Sequence, residues 1–419
     1  MPRRRRMPAW TCEMTELFSK DVLPDGRPGN AVLPESIPDL GPEENPPSVW
    51  VLADHKLGHT TQSVALADQL GWPYELKELS FNRLRRLSNF WLGATTLSLD
   101  RGLTAPLVPP WPDLVIATGR ASAPIARWIK AQSSNRTRIV QLGRRGTDQR
   151  AGAFDLSVTC GFFGLPSHSR RIETLAPIAA IHDLRLRAAG ERWRELFADA
   201  PHPHVALLVG GATKAHLLDA AGAERMAREV LGFVHSAGGT LQVVTSPRTG
   251  GKISSALRAG LADGTRFYEW KRADPDNPYL GCLAVADILV VTGDSESMIA
   301  EAAGTTKPLY IYSLPARAQN RRRRIRAWVG ARALPQHAPA GRPSQGIQKS
   351  CALLLKLGIV RPPRRLNELH RQLMEGGYAR RFGDPLDASP RAALSEVEGV
   401  AARVRLMMGR TRATAESGL

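Results

Sequence analysis

Beyond residue 48 the chain alternates short, almost wholly apolar runs with longer stretches in which apolar residues recur every three or four positions. The run Val49-Trp50-Val51-Leu52-Ala53 predicts a strand, and a glycine-containing turn then leads into a helical pattern over 60–70 that Gly71 closes. Strand-like runs follow at 114–117, 139–142 and 156–158, with a helical pattern over 121–130 between the first two. Strands that alternate with helices predict a parallel sheet. The charged stretch 175–200 reads as a helical connection, after which the alternation restarts. Strand candidates there are 205–209, 241–245, 288–292 and 309–311, spaced by helical segments such as 223–236 and 297–303. Two such arrays predict an α/β protein of two facing Rossmann-like domains; from about Ser313 the chain turns Arg- and Pro-rich and is then helical. We divide the chain accordingly into a disordered, basic and Pro-rich leader at 1–47, a first Rossmann-like domain at 48–180 and a second at 181–340. The remaining helices, at 341–419, are expected to pack partly back on the first domain.

Composition narrows the function. With 419 residues, 43% of them hydrophobic and 23% charged, the chain has the composition of an ordinary globular protein and enough length for two cores. No apolar run approaches the ~20 residues that span a bilayer, which argues against an integral membrane protein. The four cysteines, Cys12, Cys160, Cys282 and Cys351, are far apart and form no C-x-x-C pair. They indicate neither a zinc site nor a disulfide framework and fit a reducing cytoplasm. The basic opening Met1-Pro-Arg-Arg-Arg-Arg is not followed by the roughly 7 to 15 apolar residues of a secretory signal, and Met7 or Met14 is an alternative start. A formal net charge of +18 implies an acidic partner: a phosphorylated substrate, anionic lipid or nucleic acid. Nucleic acid ranks last and is not expected, because the basic residues are dispersed and no helix-turn-helix, zinc-finger or RNP pattern is present.

In open parallel α/β sheets, ligands bind beyond the carboxyl ends of strands, where loops enter helix amino termini. The first such loop contains Gly58, which permits close backbone approach, and His59, which is either a general base or a plain capping or surface residue. Thr118-Gly119-Arg120 offers a backbone nest with a guanidinium for an anion. In the second array, Gly210-Gly211 with Thr213 can cradle phosphate through backbone N–H groups, and Ser246-Pro247-Arg248 adds a hydroxyl and a cation at the same edge. The segment Thr292-Gly293-Asp294-Ser295-Glu296-Ser297 ends a strand and opens a helix that Ser295 or Ser297 can cap, and Glu301 one turn further can accept both ribose hydroxyls. Elsewhere, Arg83-Leu84-Arg85-Arg86-Leu87 running into Phe90-Trp91-Leu92 suits an interfacial helix on an anionic membrane, and the run 321–324 adds a second basic patch.

At these residues the sequence resembles the bacterial relatives of the plant mitochondrial-fission "elongated mitochondria" protein, a family described in glycosyltransferase terms. The resemblance covers roughly 48–385 and rests on Gly58-His59 with Gln62, Pro112-Asp113-Leu114-Val115-Ile116-Ala117-Thr118-Gly119-Arg120, Val140-Gln141-Leu142-Gly143, Asn277-Pro278-Tyr279, and Thr292 through Met298 with Glu301-Ala302. More distantly, the second half is similar to the nucleotide-sugar half of glycosyltransferase-B enzymes, such as the lipid-linked peptidoglycan N-acetylglucosaminyltransferase and the nucleotide-sugar 2-epimerases. The resemblance implies a glycosyltransferase-B fold, with His59 as the catalytic base and Gly58, Gln62, Thr118, Gly119 and Arg120 on the acceptor side. It assigns Gly210, Gly211, Thr213, Ser246, Arg248, Asn277, Tyr279, Asp294, Ser295, Ser297, Met298 and Glu301 to a nucleotide-sugar, with Glu301 on the ribose. The expected activity is sugar transfer from that donor, as substrate rather than cofactor, to a cell-envelope or lipid-linked acceptor. It would proceed without metal, in the cytoplasm or peripherally on the inner face of its membrane. A non-catalytic adaptor, the role attributed to the plant member, and a nucleotide-sugar epimerase are the alternatives.

Overall fold

The computed structural model describes residues 46–54, 57–143, 153–165, 168–179, 183–197, 200–213, 215–272, 274–318, 321–333, 345–357, 359–360 and 365–416. Apart from its last two residues, the leader assigned to 1–47 lies outside them.

The first array opens with β1 (Val49–Ala53), α1 (Leu57–Leu70) and β2 (Tyr74–Glu78). A 3-10 turn at Arg83–Arg86 and the one-turn helix α2 (Asn89–Leu92) precede β3 (Leu114–Thr118), α3 (Gly119–Gln132), β4 (Arg138–Leu142), β5 (Leu156–Cys160) and β6 (Arg171–Thr174). Helix α4 (Asp183–Arg192) connects to the second array, which begins β7 (His204–Val209), α5 (Ala220–His235), β8 (Thr240–Thr245), α6 (Gly251–Ala259) and β9 (Arg266–Tyr268). It continues α7 (Tyr279–Val285), β10 (Ile288–Thr292), α8 (Glu296–Ala303), β11 (Leu309–Tyr312), α9 (Arg321–Ala333), α10 (Gln345–Lys356) and α11 (Leu366–Glu375), and ends with β12 (Arg380–Arg381) and α12 (Val397–Glu416).

These strands form two six-stranded sheets, ordered β2-β1-β3-β4-β5-β6 and β12-β11-β10-β7-β8-β9, in which every pairing is parallel. The chain is therefore α/β with two Rossmann-like sheets. Both are doubly wound: strand order reverses between β1 and β3 in the first and between β7 and β10 in the second. Parallel strands need helical crossovers that cover both faces, which is why β1, β3, β5, β7 and β10 are buried along their whole length and mostly apolar, with Ser157 and Thr159 of β5 among the polar exceptions. The strands that the apolar runs do not reveal are edge or near-edge ones. β2 reads Tyr74-Glu75-Leu76-Lys77-Glu78, with only Lys77 buried, and β12 is a pair of exposed arginines.

Two local expectations change. The stretch 83–92 is not one amphipathic helix. Asn82 Oδ1 accepts Leu84 N–H at 2.8 Å, Ser88 Oγ accepts Phe90 N–H at 3.2 Å, and Gly93 turns the chain at φ 63°, so capping twice restarts the backbone within one short segment. Among its described residues the linker at 175–200 holds one α-helix of ten residues and a 3-10 turn at Arg194–Leu196, and its Trp193 seats against Gly281 so closely that a Cβ there would lie 2.4 Å from the indole.

After α11 the chain crosses between the sheets. Arg391 donates to Ala302 O at 2.7 Å and Ala303 O at 2.9 Å, satisfying the last carbonyls of α8. Glu396 then accepts the backbone N–H groups of Leu175, just past β6, and of Ala176 at 2.9 Å. Helix α12 finally packs on α1: Val400, Ala401 and Val404 are buried in one cluster with Val51, Leu66 and Ile116, and Arg405 donates to Gln69 O at 2.7 Å at the carboxyl end of α1. A second cluster joins Cys160, Phe162 and Phe163, beyond β5, to Leu208, Ile299 and Leu369 of the second array. Among the described residues no helix is long and apolar enough to cross a membrane.

Glu396 accepts two partly buried backbone N–H groups, and among the described residues no other acceptor is seen for them. Glu396→Ala is expected to lower stability in urea denaturation by on the order of 2–4 kcal/mol, with Glu396→Gln, which keeps one acceptor oxygen, intermediate.

Candidate functional site

In a doubly wound sheet the crevice for a ligand opens at the carboxyl ends of the strands where the order reverses. In the second sheet that point lies between β7 and β10, and three loops meet there. Gly210 N–H donates to Thr292 Oγ1 at 2.8 Å, and Gly211 N–H donates to Asp294 Oδ2 at 3.0 Å. Arg248, after β8, places a guanidinium nitrogen 3.0 Å from the same carboxylate oxygen. Ser246 and Thr249 hydroxyls each donate to Gly210 O at 2.6 Å. The glycines are demanded by this closeness. A Cβ at 210 would lie 2.4 Å from Asp294 Oδ2, and one at 211 would lie 2.4 Å from the Arg248 carbonyl.

This corrects the expectation that the Gly210-Gly211 N–H groups point at phosphate, since both are engaged within the protein. Thr213 is likewise occupied, its hydroxyl accepting Ala215 N–H at 3.1 Å and His216 N–H at 3.0 Å. Asp294 is buried, and burial pushes its carboxyl above the usual range against the opposing pull of Arg248. Its Oδ1 is enclosed without a protein hydrogen-bond partner.

Helix α8 begins immediately beyond. Ser295 stands at its N-cap position but its side chain makes no capping bond, and Ser297 lies half-buried in the first turn. The opening N–H groups of a helix have no intrahelical partner. Met298 is buried beneath the turn. Glu301, a turn further, accepts the hydroxyl of Tyr279, and Asn277 Oδ1 accepts Tyr279 N–H at 3.0 Å at the start of α7. Glu301 is half-buried as a residue but its carboxyl group is enclosed; burial raises its pKa and the tyrosine hydroxyl partly opposes that. Tyr279 is pushed well above its ordinary value, first by burial and then by the neighbouring carboxylate.

One residue beside this site gave no sequence signal. His370, on α11, packs its ring on Gly293, where a Cβ would meet its Cε1 at 2.8 Å. Its Nε2 is buried without a protein partner, and burial, reinforced by His216, lowers its pKa to about 4. A lone histidine among Leu366, Leu369 and Leu373 on an amphipathic helix reads as core; only the turn it packs on marks it.

Among the described residues, the hydrogen-bonded groups at the switch point of the first sheet are neutral. Thr118 Oγ1 and Ser63 Oγ, on α1, are 2.6 Å apart, and Gln141 Nε2 donates to Gly119 O at 2.8 Å. Gly119 holds φ 82°, a value that suits glycine as the strand turns into α3. Gln62 is near, since a Cβ at Gly143 would approach its Oε1 at 3.6 Å and the Thr118 methyl at 3.7 Å. Arg120 differs from its expected role as an anion ligand: its guanidinium donates to the carbonyls of Arg85 and Leu87, and Asn89 Nδ2 donates back to Arg120 O at 2.8 Å. Arg120 thus fastens the 83–92 segment to α3. Gly58 and His59 fall in the first turn of α1, and their side chains lie outside the described residues.

Removing the cationic partner of Asp294 should have a pH signature. A folded-state pKa raised by burial contributes stability that is present below about pH 4 and lost as pH rises through the raised value. Arg248→Met raises that value further. The variant is expected to lose about 1–3 kcal/mol at pH 7, below the roughly 3–5 kcal/mol of a fully buried pair because the Arg248 side chain is 42% exposed. It should recover part of the loss at pH 5, measured by urea denaturation at both values.

Sequence comparison places these residues in context. The family described as Mitochondrial fission ELM1 matches residues 57–334. A Rickettsia prowazekii protein named only as uncharacterized protein RP120 is 27% identical over 297 residues, 64% of this chain and 84% of that one. The mitochondrial fission protein ELM1 of Arabidopsis thaliana is 28% identical over 222 residues, 48% of this chain and 51% of the plant protein, so the match spans about half the plant protein's length. Among solved structures, a UDP-GlcNAc 2-epimerase from Methanocaldococcus jannaschii aligns over 86% of this chain and 99% of its own at 10% identity, with a TM-score of 0.45. MurG from Acinetobacter baumannii aligns over 78% and 95% at 14% identity, with a TM-score of 0.34. Scores this low add nothing to what the two sheets themselves establish.

Proposed function

This chain belongs to the mitochondrial fission ELM1 family, and from its site geometry we propose that it binds a nucleotide-sugar at the second sheet and transfers the sugar to a lipid-linked or cell-envelope acceptor. The observation that carries this reading is the start of α8: a helix amino terminus without a side-chain cap, at a topological switch point, with an enclosed carboxylate a turn into the helix. The opening N–H groups and the positive helix end suit a diphosphate, and Glu301 suits a ribose diol. Tyr279 takes one lone pair of that carboxylate and holds it in place; further acceptor sites remain for ligand hydroxyls. Arg248 neutralises Asp294, so that its charge does not oppose a phosphate at the same edge. The neutral hydroxyl and amide groups around Thr118 suit an uncharged acceptor hydroxyl, with His59 as the base that takes its proton.

The acceptor is proposed to lie at an anionic membrane surface. Around the 83–92 segment Trp91 and Leu103 are each 72% exposed, Leu84 and Leu87 are exposed beside them, and Arg83, Arg86 and Arg101 are exposed as well. On α9 the exposed Arg321, Arg322 and Arg324 lie close to Trp328 and Ile325, with the Arg332 guanidinium 4.2 Å from the Trp328 ring centre. Apolar side chains fringed by arginines match acyl chains beneath acidic headgroups.

A thermal-shift series against UDP, GDP, CDP and their sugars tests the nucleotide reading. One nucleotide class at millimolar concentration is expected to raise the unfolding midpoint of the wild type and not that of Glu301→Ala. No shift with any of them would abandon the reading for an adaptor without a ligand. Sedimentation with vesicles tests the membrane reading. Phosphatidylglycerol vesicles should retain the protein and phosphatidylcholine vesicles should not. Arg86→Ala should weaken retention by about 5-fold, the ~1 kcal/mol of one interfacial cation, and equal retention by both vesicles would reject it.

A further inference from the structure

We propose that His202, His204 and Asp287 form a binding site for a divalent transition-metal ion of the zinc class at the amino edge of the second sheet. This is the edge opposite the candidate nucleotide site, so the proposal stands independently of the function argued above. It also departs from the sequence expectation that no metal is bound, because a pair of histidines two residues apart has no visible third ligand until the strands are paired.

His204 opens β7 and Asp287 immediately precedes β10. Val205 pairs with Ile288 in the ladder between these strands, which brings His204 and Asp287 level with each other. His202, two residues before His204, lays its ring on that of His204 with centroids 3.8 Å apart, and the His204 ring also stacks on buried Phe197 at 4.6 Å and 8°. Asp287 Oδ2 accepts the His204 backbone N–H at 2.7 Å and lies 2.6 Å from His202 Nδ1. The donor atoms of all three side chains fall within 4.8 Å of one another.

The hydrogen bonding of His204 points to a cation. Its Nε2 lies 2.9 Å from Ala200 O, and since a carbonyl only accepts, Nε2 carries the proton. The lone pair of the neutral ring is then at Nδ1, which lies 3.9 Å from Asp287 Oδ2. Two lone-pair atoms at that separation repel unless positive charge is held near both, and a cation bound by both supplies it. An imidazole that gives its far N–H to a backbone carbonyl is also the arrangement that orients metal-bound histidines.

Two imidazoles and one carboxylate suit zinc, cobalt or nickel better than magnesium or calcium, which favour all-oxygen shells. Ligands at ~2.0–2.2 Å from zinc lie roughly 3.3–3.6 Å from each other. The site therefore closes by a movement of about an ångström, for which His202, whose side chain is 72% exposed, is free to turn. His204 is held by the Phe197 stack and the Ala200 bond. The exposed side of His202 leaves the fourth position to water. A bound ion would tie the entrance of β7 to the entrance of β10.

The test uses the full chain without a polyhistidine tag. Zn(II) is titrated in competition with a chromogenic chelator, and the unfolding midpoint is recorded with and without the ion. Wild type is expected to withhold one equivalent of Zn(II) from the chelator and to unfold at a higher temperature with the ion. His202→Ala, an exposed position, should bind at least ~10-fold more weakly and lose the shift, with an unchanged circular dichroism spectrum in the absence of metal showing that it folds. His204→Phe, which preserves a stacked ring, should behave in the same way. If the wild type withholds no equivalent, or if His202→Ala withholds as much as the wild type, the proposal is overturned and the cluster is a histidine–aspartate ion pair.

Discussion

The buried carboxylate of Asp294 is the constraint around which the second half is arranged. A carboxylate removed from water stays ionised only if donors and positive charge replace the solvent it has lost. Here the donor is Gly211, after β7, and the charge is Arg248, after β8, while Asp294 itself follows β10. Satisfying one side chain therefore fixes three loops relative to one another. The two glycines follow from it, since neither position has room for a side chain. So does the start of α8, which is delivered to a defined place on the sheet with its first turn uncapped.

Among the described residues, the two switch points are furnished in opposite ways. The first carries hydroxyls and amides, from Ser63, Thr118 and Gln141, bonded to each other and to Gly119. The second carries an ion pair, an enclosed glutamate and a histidine held neutral by burial. Neutral groups can exchange partners at little electrostatic cost, whereas charges in a low-dielectric setting are worth more and tolerate less displacement. The contrast is consistent with the proposed division between a partner recognised by hydroxyl contacts and one recognised by its phosphates.

Much of this architecture was legible in the order of residues. The wholly buried strands announced themselves because helices on both faces favour apolar residues at successive positions, as in Leu207 and Leu208 of β7 or Val290 and Val291 of β10. The edge strands did not, because a strand with one neighbour and a wet face has the composition of a loop, as β2 shows. The loops that form the site were legible as places, but their internal bonding was not. A glycine pair after a strand reads the same whether its N–H groups face a ligand or a carboxylate 83 residues away. Arg120 reads as an anion ligand from its position at a helix start, yet its partners are carbonyls of a segment more than thirty residues earlier. His370 entered the site from a helix whose apolar face gave no reason to look there.

The packing of α12 against α1 bears on how the protein is made. Helix α1 carries Gly58 and His59 in its first turn, and its carboxyl end is held by Arg405, 336 residues later in the chain. Val400, Ala401 and Val404 fill the same apolar cluster as Leu66 and Ile116. A ribosome that has finished the first sheet has therefore not yet produced the residues that close its core. At a synthesis rate of roughly 5–20 residues per second, the apolar face of α1 stays open to solvent, or to a chaperone, for tens of seconds while the second sheet emerges. The half of the molecule translated first is the half completed last.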